Sequence, residues 1–225
     1  MNKLVLFDID GTLIANARGH DEAFAIAFKA VYGVDASIHM INPNGMTDQE
    51  IIIAVMELCG VTRDVIEARI TGCMDEMVRY FMAVQPYLSL KLLPGVKELL
   101  QLLKDDGCLM GLVTGNLEAI AWGKMETAGI REYFQLGGFG SDARNRSELV
   151  VKAISTARNK FNLSEAAGVY SVGDAPQDIC AALAGGSHPF GVTTGVYVAD
   201  ELKRAGAVHV FNNLTELTQN WSQLS

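Results

Sequence analysis

The sequence has little that would support covalent cross-links, a membrane span or contact with a nucleic-acid backbone. Its four cysteines are widely spaced and form no CxxC pair, which argues against a zinc site or a redox dithiol. The first apolar stretch is interrupted at Asp8, too early for a signal peptide, and no later run approaches the length of a bilayer span. The net charge of −8 offers no basic face for nucleic acid or an anionic membrane. We therefore expect a cytoplasmic protein that binds neither nucleic acid nor membrane.

Short apolar runs that alternate with helical patterns are the main signal in the chain. With 225 residues, of which 49% are hydrophobic, the chain is long enough for one large domain or one domain with an insert. Continuous apolar runs fit strands that are buried on both faces of a parallel sheet. The sequence thus predicts a Rossmann-like α/β core, with strands at 4–7, 109–113, 135–140, 168–172 and 190–194 and helices at 94–107, 117–129 and 147–161.

Residues 15–87 have a different pattern, with helical periodicity and no strand signal. Helices are predicted at 23–33, 47–60 and 62–84, each entered through a polar residue that can cap it. This pattern predicts an inserted all-helical domain at 15–87, which divides the α/β core into residues 1–14 and 88–225. The core of the insert is predicted to contain Phe24, Phe28, Met56, Met74, Met77 and Phe81.

Acidic and hydroxyl side chains follow three of the predicted strands. Asp8 and Asp10 end the first strand, residues 114–116 (Thr-Gly-Asn) follow the second, and Asp174 and Asp178 follow the strand at 168–172. Ligands of open α/β sheets bind beyond the carboxyl ends of the strands, so these groups are expected to meet in one crevice. Crowded carboxylates resist ionisation unless a cation lies among them, and Mg²⁺ prefers such oxygen ligands. The pattern therefore favours a magnesium site.

The same residues suit phosphoryl transfer. An aspartate can act as a nucleophile and form an aspartyl-phosphate, while a neighbouring acid protonates the leaving oxygen and later deprotonates a water. Because this reaction depends mainly on positioning and on neutralising charge, a metal, backbone amides, a hydroxyl and one cation would be sufficient.

Three motifs carry a resemblance to a known family. FDIDGTL, VTGN and GDAPQD, in this order, resemble the first, second and fourth motifs of the haloacid dehalogenase (HAD) superfamily, in its phosphatase branch. The helical insert lies where that superfamily has its C1 cap domain, and GMTDQEI (45–51) is similar to a cap segment of phosphoglycolate phosphatase-like members. The resemblance implies a Mg²⁺-dependent phosphatase that acts on a small phosphorylated metabolite as a monomer or homodimer.

The resemblance also implies roles for individual residues. Asp8 matches the nucleophile, and Asp10 matches the general acid/base, whose backbone carbonyl also binds Mg²⁺. Thr114 matches the residue that holds the transferring phosphoryl group. The implied substrate-binding residues are Gly11, Thr12, Gly115 and Asn116, and the implied metal ligands are Asp8, Asp10, Asp174 and Asp178, of which Asp178 more often supports the site from behind.

The sequence departs from the family pattern in its third motif. The family usually supplies a lysine there, but residues 140–153 contain no such run. A pattern of Arg-x-x-Leu-Val at the start of the next helix favours Arg146 as the cation, with Arg144 second and Lys152 third. A smaller departure is Ala15-Asn16, where many relatives have Asp-Ser, and it bears on the subfamily more than on the chemistry.

Two other functions are compatible with the sequence. A sugar phosphomutase similar to β-phosphoglucomutase would use the same nucleophile, and a non-catalytic phospho-acceptor module could store an aspartyl-phosphate. The remaining polar residues are interpreted as structural: Thr47 and Asp48 as helix caps, His20 as a surface or hinge histidine, and His39, His188 and His209 as residues without ligand spacing.

Overall fold

The chain folds into a parallel α/β layer with a helical insert. The computed structural model describes residues 3–15 and 18–224, so Asn16 lies outside the described residues. Within these ranges six parallel strands form one sheet in the order β3-β2-β1-β4-β5-β6. The strands are β1 (Lys3–Phe7), β2 (Leu109–Thr114), β3 (Leu136–Phe139), β4 (Gly168–Gly173), β5 (His188–Val192) and β6 (His209–Phe211). The predicted Rossmann-like α/β core is confirmed.

The central strand β1 explains why its sequence reads as a continuous apolar run. Val5 and Phe7 pack into the cluster on one face of the sheet, and Leu4 and Leu6 pack into the cluster on the other. Both faces are covered by helices, so neither face of β1 meets water. The covering helices are α4 (Val96–Asp105), α5 (Glu118–Thr127), α6 (Arg146–Phe161), α7 (Pro176–Gly185), α8 (Ala199–Arg204) and α9 (Leu214–Leu224).

The strand register brings three chain segments to one edge of the sheet. Phe7 pairs with Leu112 of β2 on one side and with Val172 of β4 on the other. Thr114 and Asp174 each lie two residues beyond those partners. The segments that follow β2 and β4 therefore flank Asp8, the first residue after β1.

The insert contains α1 (Arg18–Tyr32), α2 (Asp48–Leu58) and α3 (Arg63–Val84). These helices share an apolar cluster that includes five of the six predicted core residues as buried side chains and Met74 as a partly buried one. Leu117, which directly precedes α5, and Ile120, in its first turn, belong to the same cluster. The insert thus packs on the α/β layer through α5, and the exact division at residues 14/15 and 87/88 stays a prediction.

Three details differ from the sequence prediction. The helix predicted at 23–33 is α1, which begins five residues earlier, at Arg18. The strand predicted at 190–194 lies at His188–Val192, because its pairing with β4 begins at His188, opposite Tyr170. Strand β6 and the helices α7, α8 and α9 were not singled out from the sequence. None of the helices in the described part of the chain combines the length and apolar character needed to span a bilayer.

Candidate active site

Three carboxylates meet at the carboxyl end of the sheet. One oxygen each from Asp8, Asp174 and Asp178 lies within 4.8 Å of the others. Burial and then the charge of Asp178 raise the pKa of Asp8 well above its usual value. The same two causes raise the pKa of Asp174 to about 7. The cluster is therefore poorly suited to hold its full negative charge without a cation.

Arg146 supplies one positive charge to this cluster. It is the first residue of α6 and is buried, with Nη2 3.0 Å from Oδ1 of Asp8 and in contact with Oδ1 of Asp178. Burial alone would lower the pKa of the guanidinium, but the charges of Asp178 and Asp8 raise it above its ordinary value. The structure thus places Arg146 where the third-motif cation is expected, and its role in catalysis stays a prediction.

The other two candidate cations point elsewhere. Arg144 donates from Nη1 to Oε1 of Glu67 at 2.8 Å, which joins the α/β layer to α3 of the insert. Lys152 pairs with Asp142 and is half exposed. Of the three candidates from the sequence, Arg146 is the one that contacts Asp8.

Asp178 has contacts at both of its carboxylate oxygens. Oδ1 contacts Arg146, and Oδ2 accepts a hydrogen bond from the backbone N–H of Ala175 at 3.0 Å. The second contact stabilises the start of α7, because the first N–H groups of a helix have no partner within the helix. Asp178 therefore braces the loop after β4 as well as contributing to the acidic cluster.

Gly11 and Thr12, which were predicted to bind substrate, lie against Asp174. Thr12 Oγ1 donates to Oδ1 of Asp174 at 3.0 Å, and both residues are buried. Gly11 has a φ of +86°, and a Cβ there would lie 2.5 Å from Oδ2 of Asp174. A glycine is required at this position for both reasons. The two residues hold Asp174 in place, and contact with substrate stays a prediction for both.

The loop after β2 presents a hydroxyl group. Thr114 is fully buried, and its Oγ1 accepts hydrogen bonds from Nδ2 of Asn116 at 2.8 Å and from N of Asn116 at 3.3 Å. Since both lone pairs of Oγ1 are used, its proton remains available for donation. This geometry suits binding of a phosphoryl oxygen.

Asp10 is held by two donors on one of its oxygens. Oδ2 accepts from Nδ2 of Asn116 at 2.9 Å and from Nζ of Lys124 at 2.6 Å. Oδ1 is buried and accepts no hydrogen bond from the residues described. Burial would raise the pKa of Asp10, but the charge of Lys124 and these hydrogen bonds hold it below its usual value. The carboxylate next to Asp8 is therefore maintained in its ionised form.

Lys124 is a site residue that the sequence prediction missed. It lies in α5 with no exposed surface, on the same buried face as Leu117, Ile120 and Ala121. A lysine at a position where the helical period requires an apolar residue is a detectable signal, because buried lysines are rare unless they are paired.

Two residues of the insert were interpreted too narrowly. His20 is buried rather than a surface residue, and its Nε2 lies 3.1 Å from Oδ2 of Asp48. Asp48 is also buried, and its Oδ2 accepts from the N–H of Leu117 at 2.9 Å, so capping is not its sole role. Thr47 does cap α2, in a reciprocal arrangement with Glu50.

The insert closes over these groups at Gly115. The carbonyl oxygen of Gly115 accepts from the N–H of Asp48 at 2.8 Å, and Nε2 of Gln49 donates to the carbonyl of Gly140 at 2.6 Å. A Cβ at Gly115 would lie 2.2 Å from the carbonyl oxygen of Met46, so only glycine allows this approach.

Between the α/β layer and the insert lies a cavity of about 270 Å³. Its lining includes Asp8, Asp10, Thr114, Arg146 and Asp174 from the α/β layer and His20, Asp21, Phe24, Ile38 and His39 from the insert.

A buried aspartate after the central strand, flanked by two further acids and covered by an inserted domain, is typical of an enzyme that reacts in an enclosed crevice. The model of the haloacid dehalogenase-like hydrolase family matches residues 5–192, and the chain belongs to this family. The resemblance seen in the sequence motifs is therefore confirmed.

Curated relatives and a solved structure agree with this assignment. The chain is 28% identical over 223 residues to the "Probable phosphatase IndB" of Dickeya dadantii, covering 96% of this chain and 92% of that protein. It is 27% identical over 220 residues to the phosphoglycolate phosphatase of Vibrio parahaemolyticus, covering 96% and 95% of the two chains. A hydrolase from Pseudomonas syringae has a similar fold, with a TM-score of 0.73, 20% identity and 100% of both chains covered.

Proposed function

We propose that the protein is a Mg²⁺-dependent phosphatase that hydrolyses a small organic phosphomonoester through an aspartyl-phosphate on Asp8. The observation that carries the proposal is the position of Asp8, at the end of the central strand and between Arg146 and two further carboxylates. One curated relative is named a probable phosphatase and the other a phosphoglycolate phosphatase, which supports phosphate-ester hydrolysis and does not favour the phosphomutase alternative.

The donor set fits a magnesium ion. Asp8, Asp174 and Asp178 offer hard oxygen ligands within a small volume. Burial, and then the charge of Asp178, raise the pKa values of Asp8 and Asp174, and a bound cation would offset both effects. These three residues, with the backbone carbonyl of Asp10, would hold the ion. When bound, Mg²⁺ supplies charge neutralisation for the nucleophile and for a phosphoryl oxygen.

In the first chemical step an oxygen of Asp8 attacks phosphorus, and the bond between phosphorus and the leaving oxygen breaks. Asp10 is ionised in the free protein, so it first takes up a proton when the negatively charged phosphomonoester binds next to it. It then gives this proton to the leaving oxygen, and the product is an alcohol. In the second step a water attacks phosphorus, Asp10 takes a proton from this water, and the bond between Asp8 and phosphorus breaks. Inorganic phosphate leaves, Asp8 is again a free carboxylate, and Asp10 releases the proton taken from water and is again ionised.

The other residues of the site orient the phosphoryl group. The hydroxyl group of Thr114 and the guanidinium of Arg146 line the same cavity as Asp8, and so do Gly11, Gly115 and Asn116 of the loops after β1 and β2. Fixed donors of this kind stabilise the charge that develops during transfer. The closed position of the insert limits the access of bulk water to this chemistry.

The cavity suits a small substrate. Its volume of about 270 Å³ and its mixed lining of apolar, acidic and histidine side chains fit a small phosphorylated metabolite. Phosphoglycolate, the substrate named for the Vibrio relative, is one candidate, with sugar phosphates and nucleotide monophosphates as others. We place this activity in the cytoplasm, since the four cysteines are free and cytosolic proteins keep their thiols reduced.

A panel of small phosphomonoesters tests the proposal. The purified protein is assayed for release of inorganic phosphate with Mg²⁺ and with EDTA. We expect release with Mg²⁺ only, and its loss in Asp8→Asn. Asp105→Asn is the matched control, because Asp105 lies at the exposed end of α4 and contacts Gln101. An undiminished rate in Asp8→Asn would show that Asp8 is not the nucleophile.

A further inference from the structure

Lys124 is a fully buried lysine with three acceptors. Its Nζ lies 2.6 Å from Oδ2 of Asp10, 2.6 Å from Oδ1 of Asn116 and 3.1 Å from Nδ1 of His20. An ammonium group has three N–H donors, so each one has a partner. Burying a charged side chain is costly unless it is paired and hydrogen-bonded, so packing alone does not account for a lysine here.

The donor count also assigns the tautomer of His20. Because the ammonium group only donates, Nδ1 of His20 accepts, and the ring proton lies on Nε2. Nε2 in turn donates to Oδ2 of Asp48 at 3.1 Å, and the same oxygen accepts the N–H of Leu117. A continuous series of hydrogen bonds therefore runs from Asp10 through Lys124 and His20 to Asp48.

This series crosses between the two parts of the molecule. Asp10 and Lys124 belong to the α/β layer. His20 lies in the first turn of α1, and Asp48 is the first residue of α2, so both belong to the insert. His20, Asp48 and Lys124 are each more than nine-tenths buried. The third hydrogen bond of Lys124 is thus available only while the insert is seated on the layer.

We propose that Lys124 is a positioning residue, which holds Asp10 in place for proton transfer and does so fully only when His20 of the insert contacts it. Lys124 and Asn116 hold Oδ2 of Asp10 and leave Oδ1 without a donor, which a water or a substrate hydroxyl beside Asp10 would supply. The inference rests on the proposed function, since it assigns the water-activating role to Asp10. It adds a cation that contacts neither the nucleophile nor the acidic cluster around it.

The step most sensitive to this positioning is breakdown of the aspartyl-phosphate. Attack by water needs a carboxylate in place to take a proton, and a misplaced base loses most of its effect. Formation of the aspartyl-phosphate from p-nitrophenyl phosphate is much less sensitive, because p-nitrophenolate leaves as a stable anion and needs no proton. Loss of Lys124 should therefore separate the two steps.

Rapid-quench kinetics with p-nitrophenyl phosphate and saturating Mg²⁺ test this in Lys124→Met. We expect a burst of p-nitrophenolate that approaches one per active site, followed by a steady rate about 100-fold below that of the wild type, the scale of a lost general base. The quenched protein should carry a phosphoryl group on the peptide that contains Asp8. Met125→Leu, at the next and equally buried position of α5, is the control and should keep the wild-type rate of breakdown.

A second pair of variants keeps the test valid if Lys124→Met does not fold. His20→Leu removes the acceptor for Lys124, whereas His20→Asn places an amide oxygen close to the position of Nδ1. Breakdown should be slower in His20→Leu than in His20→Asn, and the double variant His20→Leu/Lys124→Met should be no slower than Lys124→Met alone, because His20 acts through Lys124.

The outcomes separate this inference from the proposed function. A phosphoenzyme that decays at the wild-type rate in Lys124→Met and His20→Leu, or a loss that affects the burst and the steady rate equally, would overturn the positioning role. Absence of any phosphoryl group on the Asp8 peptide, in an active wild type as well as in every variant, would instead overturn the aspartyl-phosphate mechanism and the inference with it.

Discussion

Nη2 of Arg146 lies 3.0 Å from Oδ1 of Asp8 in a buried contact between the first residue of α6 and the first residue after β1. In Arg146→Ala we expect kcat/KM for phosphomonoesters to fall about 100-fold to 1,000-fold, the usual effect of removing one preorganised donor. Arg146→Lys should recover only part of this loss, because an ammonium group cannot bind two carboxylates in the same planar geometry.

Steady-state kinetics check this expectation, with Lys152→Ala as the control, because Lys152 is half exposed and pairs with Asp142, away from Asp8. If the loss in Arg146→Ala were no greater than in Lys152→Ala, another cation would have to fill the third-motif role.

The pH dependence of stability follows from the raised pKa of Asp174. Burial and the charge of Asp178 raise this pKa to about 7, so between about pH 4 and 7 this carboxyl group binds more protons in the folded protein than in the unfolded chain. In EDTA the contribution of this carboxyl to stability is fully present below about pH 4, the unfolded-state pKa, and is lost as the pH rises to about 7. Melting temperatures measured across this range should fall, and Asp174→Asn should flatten the profile.

Added Mg²⁺ should raise the melting temperature more at pH 8 than at pH 5. The ion favours ionised ligands, and protons compete with it for the same carboxylates at the lower pH. A stabilisation of equal size at both pH values would contradict binding of the ion by Asp8 and Asp174.

Thr12→Val tests the support that Asp174 receives. The substitution keeps the shape of the side chain but removes the hydrogen bond of 3.0 Å to Oδ1 of Asp174. Loss of such an outer contact typically weakens metal affinity about 10-fold to 100-fold. The Mg²⁺ concentration for half-maximal activity should rise by this factor, while kcat at saturating Mg²⁺ changes much less. Thr218→Val, which removes a hydroxyl contact within α9, should leave the half-maximal concentration unchanged.

Gly115→Ala tests how the insert seats on the α/β layer. The added methyl group would lie 2.2 Å from the carbonyl of Met46, so the insert could not keep its closed position. We expect a large loss of kcat/KM together with faster cleavage of the insert by trypsin. Gly72→Ala is the contrasting variant, because Gly72 lies within α3 and a Cβ there would have open space around it. It should keep its activity and stabilise the protein by about 0.5–1 kcal/mol.

The sequence predicts the strands that are buried on both faces better than any other feature. β1 reads as an uninterrupted apolar run because clusters cover both of its faces, and the acid that ends it is visible for the same reason. β6 has three residues, two of which keep some exposure, so the strand is too short to show either a continuous apolar run or an alternating pattern. The short helix α8 is missed for a similar reason, since six residues contain fewer than two turns.

The site is predictable where its residues follow strands and less so where they lie on helices. Asp8, Thr114 and Asp174 share one edge of the sheet because all parallel strands end there. Lys124 reaches Asp10 from α5, and His20 reaches Lys124 from α1 of the insert, so their convergence depends on how the insert packs. The sequence does show that Lys124 interrupts an apolar face, but only the structure shows which acid it pairs with.

The two sides of the insert are attached differently to the α/β layer. At the end of α3 the contact with α5 is mainly apolar, because Phe81 packs against Gly123, where a Cβ would lie 2.9 Å from its ring. Near α2 the contact is made of hydrogen bonds from Asp48 and Gln49 to backbone carbonyls. Water can replace hydrogen bonds at little cost, whereas exposing an apolar contact is unfavourable. We therefore expect the hydrogen bond of Gln49 to break before the apolar contact of Phe81 when the insert opens to admit substrate.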